Sequence, residues 1–403
     1  MNFKVLSLLL LLLPVSVLGQ HLPGENYIRG VAFYQQAEYD SAVSSFTSNL
    51  ADNAKNTDAL FYRGLAYFHE GDFDKSLADF AAVDKSDPGR GAIWIARIYA
   101  RKNNIDECLK YLDLHLKSNY KLPESEILLD KNLGVFENDP KWTNFWKNAT
   151  YYTGFDQTMA EARYLINSGD YVEAADVLSE GLKSGGYRKS PLYTERARVY
   201  LATGNDRQAL EDLNAAIAAD RRNAELYARR ADLNYKLEKY KNALDDYETA
   251  LKYDPDHFSL YPKRALARNK NGMYDNAVED MEFYLKYFKD DHHNWYNYGM
   301  INRENNKMFD ALKCFNKALA LDKAIPEYFM ARGETYLDTR TYKYARNDFS
   351  MALDLDPRNA KAYLDLGLAA LKLGDNSQAC YGFNKAYEYG LFEAREYIDK
   401  YCR

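Results

Sequence analysis

The sequence predicts an all-α fold, a stack of two-helix units, and three regularities between residues 190 and 389 predict it. One small residue returns at an unbroken interval of 34, at Ala209, Ala243, Ala277, Ala311, Ala345 and Ala379. Seven residues later a second small position keeps step at Ala216, Ala250, Ala318, Ala352 and Ala386, and only Tyr284 breaks it. Between the two stands a large apolar residue: Leu213, Tyr247, Met281, Phe315, Phe349 and Phe383. A fixed period of this length marks units too small to bury an apolar face alone, so each is stabilised by its neighbours.

The unit Asn223 to Pro255 shows why the period is helical. A first helix over Ala224 to Leu237 is followed by a break at Glu238-Lys239 and a second helix up to Tyr253. Small residues at Ala231 and Ala243 let the two helices approach, and Tyr227 and Tyr247 fill the space beside them. Asp254-Pro255 ends the second helix, because the residue before proline disfavours the α region. The same punctuation recurs at Gly204-Asn205-Asp206, Gly272-Met273-Tyr274, Gly374-Asp375-Asn376 and Asp356-Pro357.

These positions resemble the tetratricopeptide repeat, whose pattern is Trp-x2-Leu-Gly-x2-Tyr, then Ala-x3-Phe, Ala and Pro. Trp295, Tyr298, Gly299, Ala311, Phe315 and Ala318 carry it, as do Phe329, Gly333, Tyr336, Ala345, Phe349, Ala352 and Pro357. The resemblance implies a right-handed superhelical α-solenoid, here of about ten repeats in two blocks joined by an irregular helical segment.

At the N-terminus one positive charge at Lys4 precedes an apolar run from Val5 to Leu18, interrupted by Ser7, Pro14 and Ser16. Small residues near Gly19 complete the pattern of a secretory signal peptide over residues 1–19, cut after Gly19. The run falls short of the ~20 apolar residues that span a bilayer, so no stable membrane insertion is expected after cleavage. The first cysteine is Cys108, far from the cut, which argues against a lipoprotein anchor. The net charge is −6 and no lysine or arginine cluster stands out, so nucleic acid is not an expected partner.

The first block, 24–118, holds about three repeats. Gly30, Phe33, Tyr39, Ala42 and Phe46 carry one; Gly64, Tyr67, Phe73, Ser76, Phe80 and Pro88 carry the next. A third has Trp94, Ala96, Tyr99 and Leu112, with Cys108 in the small-residue slot. Register is lost over 119–153, a degenerate repeat or linker with Trp142, Phe145 and Trp146 after Asp139-Pro140. The second block, 155–390, holds about seven repeats and resumes with Ala162, Leu165, Gly169, Ala174 and Leu178. Residues 391–403 read as a capping helix over Leu391 to Tyr401, with Phe392, Ala394 and Ile398 on one face.

Candidate chemistry is sparse. Cys380 and Cys402 flank Gly390 at comparable lengths of helix and form a disulfide candidate in an exported chain, while Cys108 and Cys314 read as core residues. His292-His293 beside Asp290 and Asp291 is a His/Asp cluster, but consecutive residues do not share a helix face, so no metal site is expected. Asn148-Ala149-Thr150 is a glycosylation sequon. Lys183-Ser184-Gly185-Gly186 follows no strand and reads as a turn. No catalytic spacing is present, and neither catalytic residues nor a cofactor is expected.

The resemblance places a partner-binding groove on first-helix positions two, five, nine, twelve and thirteen. Here those slots hold Tyr27, Val31, Tyr34, Phe61, Leu65 and Phe68 in the first block, and Leu266, Tyr296, Met300, Met330, Leu337, Leu364 and Leu368 in the second. An apolar lining suits a peptide or partner helix, although tight coiling could bury the same residues against neighbouring repeats. Versions that clamp a chaperone's C-terminal carboxylate carry lysine, asparagine and arginine where Tyr296, Met300, Leu364 and Leu368 stand, which disfavours that role. A secretory-pathway co-chaperone of this family is expected to carry His-Pro-Asp, and this chain holds none. The expected function is a non-catalytic scaffold for a protein or peptide partner of the cell envelope, secreted across the inner membrane to the periplasm. The alternatives are a small-ligand receptor or enzyme with a pocket near Trp142 and Trp146, self-association through the N-terminal aromatic face, or, more distantly, a secretory-pathway lumenal co-chaperone.

Overall fold

The computed structural model describes residues 24–147, 150–186 and 188–402. The expected signal segment 1–19 and residues Asn148 and Ala149 of the sequon lie outside the described residues. Every element described is helical, and the chain divides into two compact units, Met1–Asp87 and Pro88–Arg403.

The first unit contains α1 (Glu25–Gln35), α2 (Tyr39–Asp52), α3 (Thr57–Glu70) and α4 (Phe73–Ser86), each packed on the next in the chain. The second opens with the pair α5 (Ala92–Arg101) and α6 (Ile105–Leu116). An irregular segment follows as α7 (Glu124–Leu128), a 3₁₀ turn at Leu133–Phe136 and α8 (Pro140–Lys147). The pairs then run α9 (Gly154–Ser168) with α10 (Tyr171–Lys183), α11 (Lys189–Ala202) with α12 (Asp206–Ala219), and α13 (Ala224–Lys236) with α14 (Tyr240–Tyr253). They continue as α15 (Leu260–Lys270) with α16 (Tyr274–Tyr287), α17 (His292–Glu304) with α18 (Met308–Leu321), α19 (Pro326–Asp338) with α20 (Tyr342–Leu355), and α21 (Ala360–Lys372) with α22 (Asn376–Glu388). From α9 onward each second helix also packs on the first helix of the next pair, and α23 (Ala394–Tyr401) closes on α22. No helix among the described residues is long and apolar enough to cross a membrane.

Each pair is locked by one small residue on its first helix facing one large residue on its second. Where the small residue is glycine, the large one is a fully buried phenylalanine: Gly30–Phe46, Gly64–Phe80, Gly299–Phe315, Gly333–Phe349 and Gly367–Phe383. A Cβ on Gly299 would stand 2.5 Å from the Phe315 ring, and one on Gly333 2.7 Å from Phe349. Where the small residue is alanine, the facing residue is never phenylalanine; the pairs are Ala96–Leu112, Ala162–Leu178, Ala197–Leu213, Ala231–Tyr247 and Ala265–Met281. The two positions thus exchange volume within the chain, as a close-packed interior requires.

The inner turns of the pairs share one backbone device, a left-handed residue after the first helix. Gly204 and Gly272 supply it without a Cβ penalty, whereas Glu238 adopts φ +57° and Arg340 φ +58° in the equivalent places. At the other end the structure corrects the cap. Its helix begins at Ala394 instead of Leu391, because Gly390 turns the chain with φ +95° and the Leu391 amide bonds the Ala386 carbonyl. Ala394 is buried as expected, but Phe392 lies in that turn and is 72% exposed.

Candidate functional site

A ladder of ion pairs runs through the helix stack. Arg196 meets Asp212, Arg230 meets Asp246, Arg264 meets Asp280 and Arg332 meets Asp348, and in the first unit Arg63 meets Asp79. Each arginine reaches its aspartate through Nε and Nη2, with the two residues 16 apart in the chain. In three second-unit steps Nη1 reaches back to the second helix of the preceding pair, at Ser179, Asn214 and Asn316. An aromatic ring three residues earlier lies beside each second-unit guanidinium: Tyr193, Tyr227, Tyr261 and Phe329. The carboxylates are nearly buried and the arginines partly so. Such bidentate geometry fixes helix-to-helix register as well as charge.

Among the six pairs from α11 to α22 two depart from it, and in both the two partners change together. In α21 and α22 the arginine slot holds Leu366 and the aspartate slot Gly382. There the helices close up: a Cβ on Gly382 would meet the Tyr363 carbonyl at 2.7 Å and the Gly367 backbone at 2.9 Å. In α17 and α18 the slots hold Tyr298 and Cys314. No such approach follows, and a cavity of about 820 Å³ opens between α16, α17 and α18. Tyr274, Glu282, Trp295, Tyr298, Asn302 and Cys314 line it, with Asp310, Lys313 and Lys317 among its charged residues. The Tyr298 hydroxyl donates to Glu282 at 3.2 Å, the buried Asn302 amide contacts Cys314 Sγ at 3.6 Å, and Tyr274 donates to Asn302 at 2.8 Å. Burial pushes the Cys314 thiol up to about 12, so it is not a poised nucleophile, and Cys108 is raised alike.

None of the residues assigned to the groove is exposed. Tyr27, Val31, Leu65 and Leu364 are buried; Tyr34, Phe61, Phe68, Leu266, Tyr296, Met300, Met330, Leu337 and Leu368 are half-buried. In the first unit Tyr27 meets Phe46 and Tyr62 edge-on, Tyr34 packs on Tyr62, and Phe61 on Phe80. In the second, Tyr296 and Met300 pack against Phe315 and Ala331, so each repeat's first helix covers part of the next. Leu266 packs on Ala265, Met281 and Ile301; Met330, Leu337 and Leu368 pack on the core around Phe349 and Phe383. Charges frame the row: Arg303 pairs with Glu334 and Asp338, and Lys361 with the buried Asp365.

The other candidates resolve into packing. Cys380 and Cys402 are joined by a disulfide, with Cα atoms 5.5 Å apart. His292 Nδ1 lies 2.8 Å from the Tyr328 hydroxyl, and among the described residues no cluster of three or more His, Cys, Asp or Glu could hold a metal. Trp142 is buried with Leu133 and Phe136, and Trp146 stacks on Tyr152 beside Phe145. Sequence reasoning missed Tyr298 and Glu282. Their signal was present, since arginine recurs at 196, 230, 264 and 332 and fails at 298.

Comparison with known proteins places these elements. Family models described as tetratricopeptide repeat match residues 28–91, 224–257, 292–325 and 330–390. The structure is similar to a tetratricopeptide repeat protein from Parabacteroides merdae, 18% identical, over 62% of this chain and 99% of that one, with a TM-score of 0.51. The C-terminal part of a repeat-containing protein from Cytophaga hutchinsonii, also 18% identical, covers 59% of this chain and 98% of its own, with a TM-score of 0.49. Among curated proteins, subunit 3 of the anaphase-promoting complex from Schizosaccharomyces pombe is 32% identical over 78 residues, which is 19% of this chain and 12% of that protein. Repeat matches and paired helices converge on one description: an all-helical array that contains tetratricopeptide repeats over residues 28–91, 224–257, 292–325 and 330–390.

Proposed function

We propose that this chain is a non-catalytic scaffold that receives a segment of a partner polypeptide along its first helices. The observation that carries this reading is the row Tyr296, Met300, Met330, Leu337 and Leu368 on α17, α19 and α21. Each side chain is anchored on one side in the repeat core and part-open on the other. Positions five, nine and twelve share one face of a helix, so successive repeats align their apolar edges. Rigid anchoring lowers the ordering cost of binding, and methionine adapts to the occupant. We further propose that the chain acts in the periplasm of a Gram-negative bacterium and supports assembly or stability of an envelope complex; the apolar run in residues 5–18 and the Cys380–Cys402 bridge are consistent with export.

The test is affinity capture of the mature chain from its own envelope fraction, with Leu266→Asp and Met300→Asp alongside. Loss of capture with helicity retained is the expected outcome. Capture that survives both substitutions overturns the groove.

A further inference from the structure

The interruption of the ion-pair ladder at Tyr298 and Cys314 goes beyond a groove on the first helices. At four steps of the second unit the chain holds a guanidinium of its own in one place, beside an aromatic ring three residues earlier on the first helix and against a carboxylate on the second, and at three of them Nη1 also reaches the preceding second helix. At the fifth the ring is present, as Trp295, and the guanidinium is not: Tyr298 takes the arginine's place and stacks beside Trp295 with ring centroids 6.3 Å apart. Both rings line the cavity of about 820 Å³ between α16, α17 and α18.

The carboxylate has moved as well. Where the other steps place a buried aspartate on the pair's own second helix, this one has Cys314, and the acid stands instead on the preceding second helix as Glu282. Glu282 is exposed and accepts one hydrogen bond, from Tyr298. A cation arriving from solvent therefore meets an accessible carboxylate, not a buried one. The basic residues of the lining do not neutralise it: Lys313 is held by Asp310 at 3.1 Å and lies over the Phe309 ring, and among the described residues Lys317, which lines the same cavity, forms no ion pair with Glu282. The second interruption, at Leu366 and Gly382, shows the alternative, since there the helices close and leave no room.

We propose that this cavity is a docking site for an arginine side chain of a partner polypeptide, its guanidinium over Trp295 and bonded to Glu282. The planar fork suits both at once: it stacks on an indole and donates two parallel hydrogen bonds to a carboxylate. The site lies on a surface that includes the second helices and shares no lining residue with the row proposed above, so one can fail without the other.

The test uses the full mature chain and two blocked tripeptides, acetyl-Ala-Arg-Ala-amide and its citrulline counterpart, which keeps shape but not charge. Binding is read from the indole N–H signals of the four tryptophans in a nitrogen–proton correlation spectrum, with Trp295 assigned by Trp295→Phe. The arginine peptide should shift the Trp295 signal with a Kd on the order of 1 mM, and the citrulline peptide should bind about ten-fold more weakly or not at all. Glu282→Gln should weaken the arginine response about ten-fold. The pair Tyr298→Arg with Cys314→Asp, which recreates the internal ion pair of the neighbouring steps, should abolish it. Equal responses to the two peptides overturn the assignment, as does a response that Glu282→Gln leaves intact. A third probe, acetyl-Ala-Lys-Ala-amide, also overturns it if it shifts the Trp295 signal as strongly, because a point charge needs no fork.

Discussion

Arg230 on α13 holds Asp246 on α14 through two parallel bonds, Nη2 to Oδ1 at 2.6 Å and Nε to Oδ2 at 2.9 Å. The carboxylate side chain is only 8% exposed and the arginine 22%, so removing one partner strands the other's charge away from water. Asn234 also donates to Asp246 at 3.2 Å. Asp246→Ala should therefore destabilise the array by about 3 kcal/mol, read from the denaturant midpoint. The double change Arg230→Met with Asp246→Leu should recover most of that loss, because an apolar pair leaves no stranded charge. A double variant as weak as the single one would show that the ladder's value lies in the attraction itself.

The exchange of volume between paired helices makes a second test. Gly333→Ala gains helix propensity of ~1 kcal/mol but drives a methyl into the Phe349 ring, which is fully buried. The clash should win, with a net loss of about 1–2 kcal/mol in thermal or urea unfolding. Adding Phe349→Leu recreates the Ala197–Leu213 arrangement found elsewhere in the chain, so the two changes should be less harmful together than their sum. Strict additivity would mean that the two positions do not in fact share the space.

How far the sequence was readable depends on which force set the pattern. Small residues at helix crossings repeat because backbone approach allows nothing else, and Ala209 through Ala379 declared the stack without any structure. The ladder was written as plainly at Arg196, Arg230, Arg264 and Arg332, but isolated arginines read as solvated charge until their aspartates are seen 16 residues on. Tyr298 was quoted for the repeat pattern and Cys314 as core, and neither reading exposed the cavity, which comes from what both residues fail to supply. The groove residues show a different limit. A slot number tells which face Met300 or Leu364 occupies, but exposure depends on how closely the next repeat lies, and Leu364 is buried where Met300 is half-open. At the cap, Gly390 marked the turn, but the three residues the chain spends reversing there were read as helix, which placed Phe392 on the wrong side.

The disulfide staples the last helix. It joins residues 22 apart, so in the unfolded chain it closes a loop worth about 3 kcal/mol in entropy. α23 is short, and Ala394 is its one buried residue. Reduction should therefore fray α23 first, raising hydrogen exchange over 394–402 before any change in α19 and α20. Replacing both cysteines by serine should have the same local effect. Loss of protection spread evenly through the second unit would mean that the cap guards the whole stack.

Two buried groups give the protein opposing responses to acid. His115 is 1% exposed, and its Nε2 accepts the Leu122 amide at 3.1 Å. Burial, aided by the charge of Arg97, lowers its pKa to about 4. Because the folded value lies below the unfolded one, the unfolded chain takes up the proton first, and stability falls as pH drops from about 6.5 to 4, by about 3 kcal/mol in all. Asp365 runs the other way. Its side chain is 2% exposed with Lys361 as its ion-pair partner at 2.7 Å, and burial, with Glu334 nearby, raises its pKa to about 6 against the pull of Lys361 and Arg303. Here the folded state holds the proton more tightly, so stability rises as pH drops from 6 toward 3.8, by a similar amount. The wild-type profile across this window should be shallow. Asp365→Asn removes the second response: it should stabilise the protein by up to about 3 kcal/mol at pH 7, converge on wild type near pH 4, and expose the full slope of His115 between them. Urea unfolding at pH 7, 5.5 and 4 reads both. An asparagine variant no more stable than wild type at pH 7 would show that Lys361 fully compensates the buried carboxylate, and that α21 carries no electrostatic strain.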